Sequence, residues 1–282
     1  MAKIAMSSSF SPKMGSDRED LKDKVAALVV SCDKYVDLWP AYFSLFRRFW
    51  PDCPFPVYLL ANHLALDFPQ VKNIRIGEDR SWSDNLLEGL SRLKEEYIFL
   101  FIDDLFFCDY VPNDQILEVV SWAYEARANH VRLNPSPKPD QYFNELVGLA
   151  SKGTIYRAST VMSLWKKEVL RDLLRPGENP WHFEIFGTVR SDAYDGFYSV
   201  HQPYFPFING VIKGKWQRSA VKRLSRLGAN IDTNRRVIMN SSETFLFALK
   251  RLRTHMLQLC PASMRRFIKE TILMGRFNYK GI

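Results

Sequence analysis

The stretch Glu96-Tyr97-Ile98-Phe99-Leu100-Phe101-Ile102-Asp103-Asp104-Leu105-Phe106-Phe107 sets two adjacent carboxylates at the end of six apolar residues. A run so rich in aromatic and β-branched types reads as a strand buried on both faces. Burying one unpaired carboxylate is costly and two neighbours repel, so the pair calls for a cation or strong hydrogen-bond donors. A divalent cation, or the ribose and phosphates of a nucleotide, meets that demand. In open α/β sheets, ligands gather at the carboxyl ends of parallel strands, where this pair lies. The plainer alternative is that one Asp starts a turn while the other is solvated.

The surrounding pattern alternates strand and helix. Val25–Val30 reads as a short buried strand ending in Ser31-Cys32-Asp33. Asp37 is expected to cap a helix running to Phe49, with Tyr42, Phe46 and Phe49 on one face. Pro56–Leu60 and Val71–Ile76 read as two more strands, the first ending in Ala61-Asn62-His63. Ser83 opens a helix carrying Leu86, Leu90 and Leu93, Asn113 caps another with Ile116, Val120 and Tyr124 inward, and His130–Leu133 follows as a strand. This rhythm predicts an α/β protein with a mostly parallel central sheet and helices on both faces.

The 282 residues hold ample apolar content for a core, and 14% aromatics argue against disorder. The four cysteines, Cys32, Cys53, Cys108 and Cys260, show no metal spacing and no dense framework, as buried thiols of a reducing compartment do. Residues 1–22 read as a flexible polar leader without a signal-peptide core. No apolar run reaches the roughly 20 residues that span a bilayer, so the expected location is cytoplasmic. Charge divides the chain. From Lys213 to Ile282 there are 16 Lys+Arg against 3 acids, whereas the preceding part holds 23 against 28. A boundary near residue 212 follows, separating a domain over 23–212 from a basic helical extension over 213–282.

Glycine-rich phosphate loops of the G-x-G-x-x-G and G-x-x-x-x-G-K-[ST] types are absent after the first strand, as is G-x-S-x-G. The order of the remaining features is distinctive. Ser31-Cys32-Asp33 ends the first strand, Asn62 follows the second, and Trp82-Ser83 opens a helix before Asp103-Asp104. Leu164-Trp165-Lys166-Lys167, Asn179-Pro180-Trp181-His182-Phe183-Glu184 and Val211-Ile212-Lys213-Gly214-Lys215-Trp216 come later. Over roughly residues 24 to 235 this order resembles bacterial glycosyltransferases of the GT-A fold, especially those of lipopolysaccharide and capsule synthesis. The Asp-x-Asp of many members is replaced here by Asp103-Asp104-Leu105.

The resemblance implies a nucleotide-sugar donor and a glycan or lipid-linked acceptor. Mg²⁺ or Mn²⁺ on Asp104, with Asp103 on ribose or behind the metal, would offset charge on the leaving diphosphate. Lys213 and Lys215 are candidates to add positive charge, or form a solvated basic turn. Ser31, Asp33, Asn62, Trp82 and Ser83 are the expected nucleotide-binding positions, although Ser-x-Asp also commonly starts helices. Glu184, among Trp181, Phe183 and Phe186, is the candidate base; low-polarity surroundings would raise its pKa. Its alternatives are a helix cap or an Arg190 partner, and Asp192 and Asp195 are rivals. The resemblance further implies inversion at the anomeric centre. Trp165 and Trp181 could stack on an acceptor sugar or simply pack in the core. His201 is either a late metal ligand or structural.

In the carboxyl-terminal quarter, Phe245, Leu249, Leu252, Met256 and Leu259 form one helical stripe flanked by Lys250, Arg251 and Arg253. After Pro261, Met264, Phe267 and Ile268 begin a second amphipathic piece bearing Arg265, Arg266 and Lys269. Such a pattern suits the anionic inner leaflet, or else docks on the catalytic domain. Three rivals to a transferase stand beside it. A nucleic-acid-binding protein lacks any recognised motif here, and no nucleic acid is expected as a partner. A nucleotidyltransferase would carry a glycine-rich basic loop after the first strand, and a non-catalytic scaffold would be indifferent to loss of Asp104.

Overall fold

The computed structural model describes residues 21–259 together with Met264 and Phe267. Nearly all of the expected leader lies outside the described residues, as does most of the piece after Pro261. So do the side chains of Lys250, Arg251, Arg253, His255, Met256 and Leu259.

The main sheet is built from β1 (Val25–Val30), β2 (Val57–Ala61), β3 (Val71–Arg75) and β4 (Tyr97–Ile102). After the short β5 (Leu105–Phe107) come β6 (His130–Arg132), β7 (Gln141–Tyr142), β8 (Val147–Leu149), β9 (Ser163–Lys166) and β10 (Phe197–Val200). Their spatial order, without β5, is β3-β2-β1-β4-β9-β6-β10-β8-β7. β9 and β8 run against the rest, and the other seven point the same way, so the sheet is mostly parallel in direction, as expected. The reversed β9, wedged between β4 and β6, is not apparent from the sequence.

Side chains of β1 and β4 alternate between two cores, which is what burial on both faces requires. Val25, Ala27, Val29, Phe99 and Phe101 join one core with helix α1 (Trp39–Phe49). Ala26, Leu28, Ile98 and Leu100 join the other, with helix α2 (Trp82–Ser91). Helix α3 (Asn113–Glu125) covers the first face and α4 (Lys167–Leu173) the second. Helices therefore flank the sheet on both sides, as expected. Each fully buried Leu or Phe here contributes about 1.5–3 kcal/mol over exposure.

Three helix starts differ from expectation. α1 begins at Trp39 without a side-chain cap, because Asp37 is engaged by Arg236 instead. The Asn113 carboxamide does not cap α3; its Oδ1 accepts the Trp50 indole N–H at 2.9 Å. α2 starts one residue early, capped by Ser81, whose Oγ accepts the Asp84 N–H at 3.1 Å.

The charge boundary near residue 212 is not a break in packing. β11 (Phe207–Asn209) pairs antiparallel with β5, and β12 (Val211–Ile212) pairs with β13 (Lys215–Trp216). Trp216, and Ala220 and Leu224 of helix α5 (Arg218–Arg226), belong to the same core as β1. Gly210, between β11 and β12, must be glycine, since a Cβ would lie 2.4 Å from the Phe106 ring. Helix α6 (Ser241–Leu259) follows, with Phe245, Leu246, Leu249 and Leu252 exposed rather than docked.

Candidate active site

A cleft of about 360 Å³ opens at the carboxyl ends of β1 and β4 and is lined by Ser31, Asp103, Asp104, Glu184, Trp181 and Lys213, among others. The fold brings these side chains together from distant segments. The parallel pairing of Val30 with Ile102 places the residues after β1 beside the two aspartates. Asp104 is fixed through its backbone, whose carbonyl accepts the Gly210 N–H at 2.8 Å.

Asp103 is buried, and its Oδ2 accepts a very short hydrogen bond from Ser31 Oγ. The indole N–H of fully buried Trp39 donates to the same Ser31 oxygen at 2.7 Å. A relay Trp39–Ser31–Asp103 therefore holds this carboxyl. Burial, reinforced by the charge of Asp104, pushes Asp103 well above the ordinary carboxylate range, while Ser31 pulls it back. Burial likewise pushes Asp104 up to about 7, against its own backbone N–H and Arg236. Both acids thus lie in a place that favours their neutral form until positive charge arrives.

Among the described residues no group of three or more His, Cys, Asp or Glu side chains converges as a metal cage. The donor set is instead a carboxylate pair facing a cleft. That fits a hard cation completed by phosphate oxygens and water, the manner in which Mg²⁺ is commonly bound.

Across the cleft, Glu184 lies in a π-helical turn, Phe183–Gly187, after Asn179, whose Oδ1 caps the preceding Pro180–His182 turn. Its Oε1 accepts from the backbone N–H and the hydroxyl of Thr160, both at 3.0 Å. The carboxylate is thus held by polar groups, a correction to the low-polarity surroundings expected for it. Arg190 is not its partner, since that guanidinium forks onto Glu178 at 2.9 and 2.7 Å. The rivals do not line the cleft: Asp195 pairs with Lys152, and Asp192 accepts from the Gly153 N–H.

Lys213 lines the cleft, at the first position of a two-residue hairpin loop. Lys213 and Gly214 have φ of 49° and 76°, the left-handed pair of a type I′ turn, for which glycine at the second position is well suited. Lys215 does not join it; its ammonium pairs with Glu243 of α6.

Several expected contacts are corrected. Trp165 is 0% exposed, packed on His130 and Phe197 with its N–H bonded to Ser159 and Ser163, so no sugar can reach it. Trp181, 58% exposed on the cleft wall, is available. The Asp33 carboxylate accepts the N–H groups of Asn62, His63 and Leu64, and Asn62 returns a bond to the Asp33 N–H. These two residues clasp the ends of β1 and β2 and do not line the cleft. Ser83 is also buried outside it, accepting the Glu178 N–H at 2.9 Å. Trp82 lines the cleft and packs on Phe183. His201 stands elsewhere, bonded to the Asn144 carbonyl and stacked on Tyr142.

Asp79, Asn85, Tyr35, Thr160, Asn209 and Phe247, none of them a candidate from sequence alone, also line the cleft. Asp79 had a usable signal, a polar loop after β3, since ligand-facing loops follow parallel strands. It pairs with Lys34 and Asn85, each at 2.9 Å. Cys32 lines the cleft as well, its thiol pushed up to about 11 by burial, which leaves it protonated and unreactive at neutral pH.

Together the sheet and its lining residues define an α/β protein with a carboxylate-lined cleft at the carboxyl ends of β1 and β4. No protein-family model matches the chain, and no curated protein matches it in sequence. Among solved structures it is similar to Staphylococcus aureus TarS 1–349, at 13% identity and TM-score 0.45, covering 87% of this chain and 78% of that one. It is similar to the mannosyltransferase PcManGT of Pyrobaculum calidifontis in complex with GDP-Man and Mn²⁺, at 12% identity and TM-score 0.45, covering 92% and 76%. The UTP-bound UGPase of Acinetobacter baumannii is similar at 10% identity and TM-score 0.45, covering 81% and 98%.

Proposed function

We propose that this chain is a nucleotide-sugar-dependent glycosyltransferase that extends a glycan or lipid-linked acceptor in bacterial surface polysaccharide synthesis. The observation that carries the reading is the pair of buried Asp103 and half-buried Asp104 opening on one cleft with Lys213 and Glu184. Two desolvated acids at a strand end favour a ligand that brings positive charge and many oxygens. The order of features shared with GT-A enzymes supports the same reading.

A divalent cation on Asp104, when bound, would neutralise the diphosphate that departs from the sugar. Asp103, held by Ser31 and Trp39, keeps Asp104 backed by a fixed neighbour. Lys213, for which no ion pair forms among the described residues, adds a mobile charge for the leaving phosphates. Glu184, oriented by Thr160, accepts the proton of the acceptor hydroxyl. The acceptor oxygen then bonds to the anomeric carbon as the carbon–phosphate oxygen bond breaks, and the electron pair leaves with the nucleoside diphosphate. Attack from the face opposite the leaving group gives inversion. Trp181 offers its exposed ring to the apolar face of the acceptor sugar.

We also place this enzyme on the cytoplasmic side, bound peripherally to the anionic inner leaflet. Support comes from the exposed Phe245, Leu246, Leu249 and Leu252 of α6, set in a strongly basic stretch. No helix among the described residues is long and apolar enough to cross a membrane.

The test is product release from a panel of nucleotide sugars with and without Mn²⁺. Release of a nucleoside diphosphate from one donor supports the reading. Pyrophosphate formation from a nucleoside triphosphate and a sugar phosphate would replace it with nucleotidyl transfer.

A further inference from the structure

A second pocket, of about 310 Å³, adjoins the cleft, and Asn209 and Phe247 line both. Its other walls include Phe207 of β11 and Gln217, Ser219 and Arg223 at α5. Gln217 is fixed by donating from Nε2 to the Asn209 carbonyl at 3.0 Å. Among the described residues no carboxylate lines this pocket. Arg223 is exposed, forms no ion pair among the described residues, and makes one long contact at 3.9 Å to the Cys108 sulfur. Every charged residue of α5 is a cation: Arg218, Lys222, Arg223 and Arg226.

We propose that this pocket is the acceptor subsite and that it takes a compact anionic group, a phosphate borne on a hydroxylated acceptor, held by Arg223. This rests on the transferase reading and adds the chemical class of the acceptor. The donor's diphosphate is served in the first cleft by Asp104 and Lys213, so a second anion-seeking position belongs to the other substrate. The shared wall lets one molecule extend from Glu184 past Phe247 to Arg223. A guanidinium in a pocket of hydroxyl and amide side chains forks onto phosphate oxygens, and the one-signed helix adds a favourable field. The phosphate can belong to a soluble acceptor or to a lipid headgroup; the chemistry read is the same.

Binding is measured with sn-glycerol 3-phosphate against glycerol, and with phosphatidylglycerol vesicles against phosphatidylcholine vesicles. The wild type is compared with Arg223→Gln and with the charge control Arg226→Gln, which lies outside the pocket. Nucleotide-sugar binding is followed on the same samples. The expected result is a Kd raised about tenfold or more by Arg223→Gln and unchanged by Arg226→Gln. Dependence on Arg223 for the soluble phosphate points to a free acceptor, and for the vesicles alone to a lipid-borne one. Equal losses in both variants, or no binding of either phosphate, overturns the proposal. Arg223-dependent phosphate binding without binding of any nucleotide sugar overturns the acceptor role through the transferase reading, while the anion site stands.

Discussion

Arg236 returns across 199 residues to Asp37, with Nε at 3.0 Å and Nη2 at 2.9 Å from the two carboxylate oxygens. The same guanidinium donates to the carbonyls of Lys34 and Gly214 and lies 4.3 Å over the Tyr35 ring. It therefore pins the turn after β1 to the hairpin that carries Lys213. Both side chains are nearly buried, at 9% and 2% exposure. Arg236→Ala strands a buried carboxylate and is expected to cost about 3–5 kcal/mol in urea unfolding. Adding Asp37→Asn should recover part of that loss, since the two residues act as one unit.

Glu184→Gln keeps the shape of the side chain and its contact with Thr160 while removing the proposed base. Turnover is expected to fall about 10²–10⁴-fold, with the nucleotide-sugar Kd unchanged. Steady-state rates and calorimetric binding on the same preparation check this. A loss of donor binding equal to the loss of rate would make Glu184 a structural residue.

The two tryptophans separate surface from core. Trp181→Ala should raise the acceptor KM up to about tenfold with an unchanged melting temperature, because its ring is mostly exposed. Trp165→Ala should instead destabilise by about 3–5 kcal/mol, since it empties a fully buried site. Melting curves beside acceptor titrations distinguish the two.

Buried His130 packs against Trp165 at a 4.0 Å ring separation. Burial, then the charges of Arg132 and Arg157, hold it well below its ordinary 6.5. The folded state thus keeps it neutral where the unfolded chain takes up a proton. This contribution is complete above pH 6.5 and is lost as pH falls toward the depressed folded value, with a slope of about 1.4 kcal/mol per pH unit. His130→Phe should flatten stability between pH 6.5 and 5 in this component, as read by urea unfolding at each pH.

The parts of this site visible in the sequence are those set by local pattern. The run before Asp103 announces a doubly buried strand, and its end locates the acids. The turn over Lys213, Gly214 and Lys215 is equally local. Thr160 and Arg236 act through partners far along the chain, a relation that periodicity does not encode. Trp165 misled because Ser163–Lys166 enters the sheet as a reversed strand between β4 and β6, burying a ring that two lysines follow in sequence. Asp33 and Asn62 misled because strand-end polar residues serve backbone clasps as readily as ligands.

The central claim is that Asp103 and Asp104 receive an activated sugar through its diphosphate. It is tested most directly by calorimetric titration of nucleotide sugars with Mn²⁺ into the wild type and into Asp104→Asn. The account predicts saturable binding of a nucleotide sugar that depends on Mn²⁺ and weakens at least about tenfold in Asp104→Asn. Equal affinity in the two proteins, or no binding of any nucleotide sugar by the wild type, would contradict it.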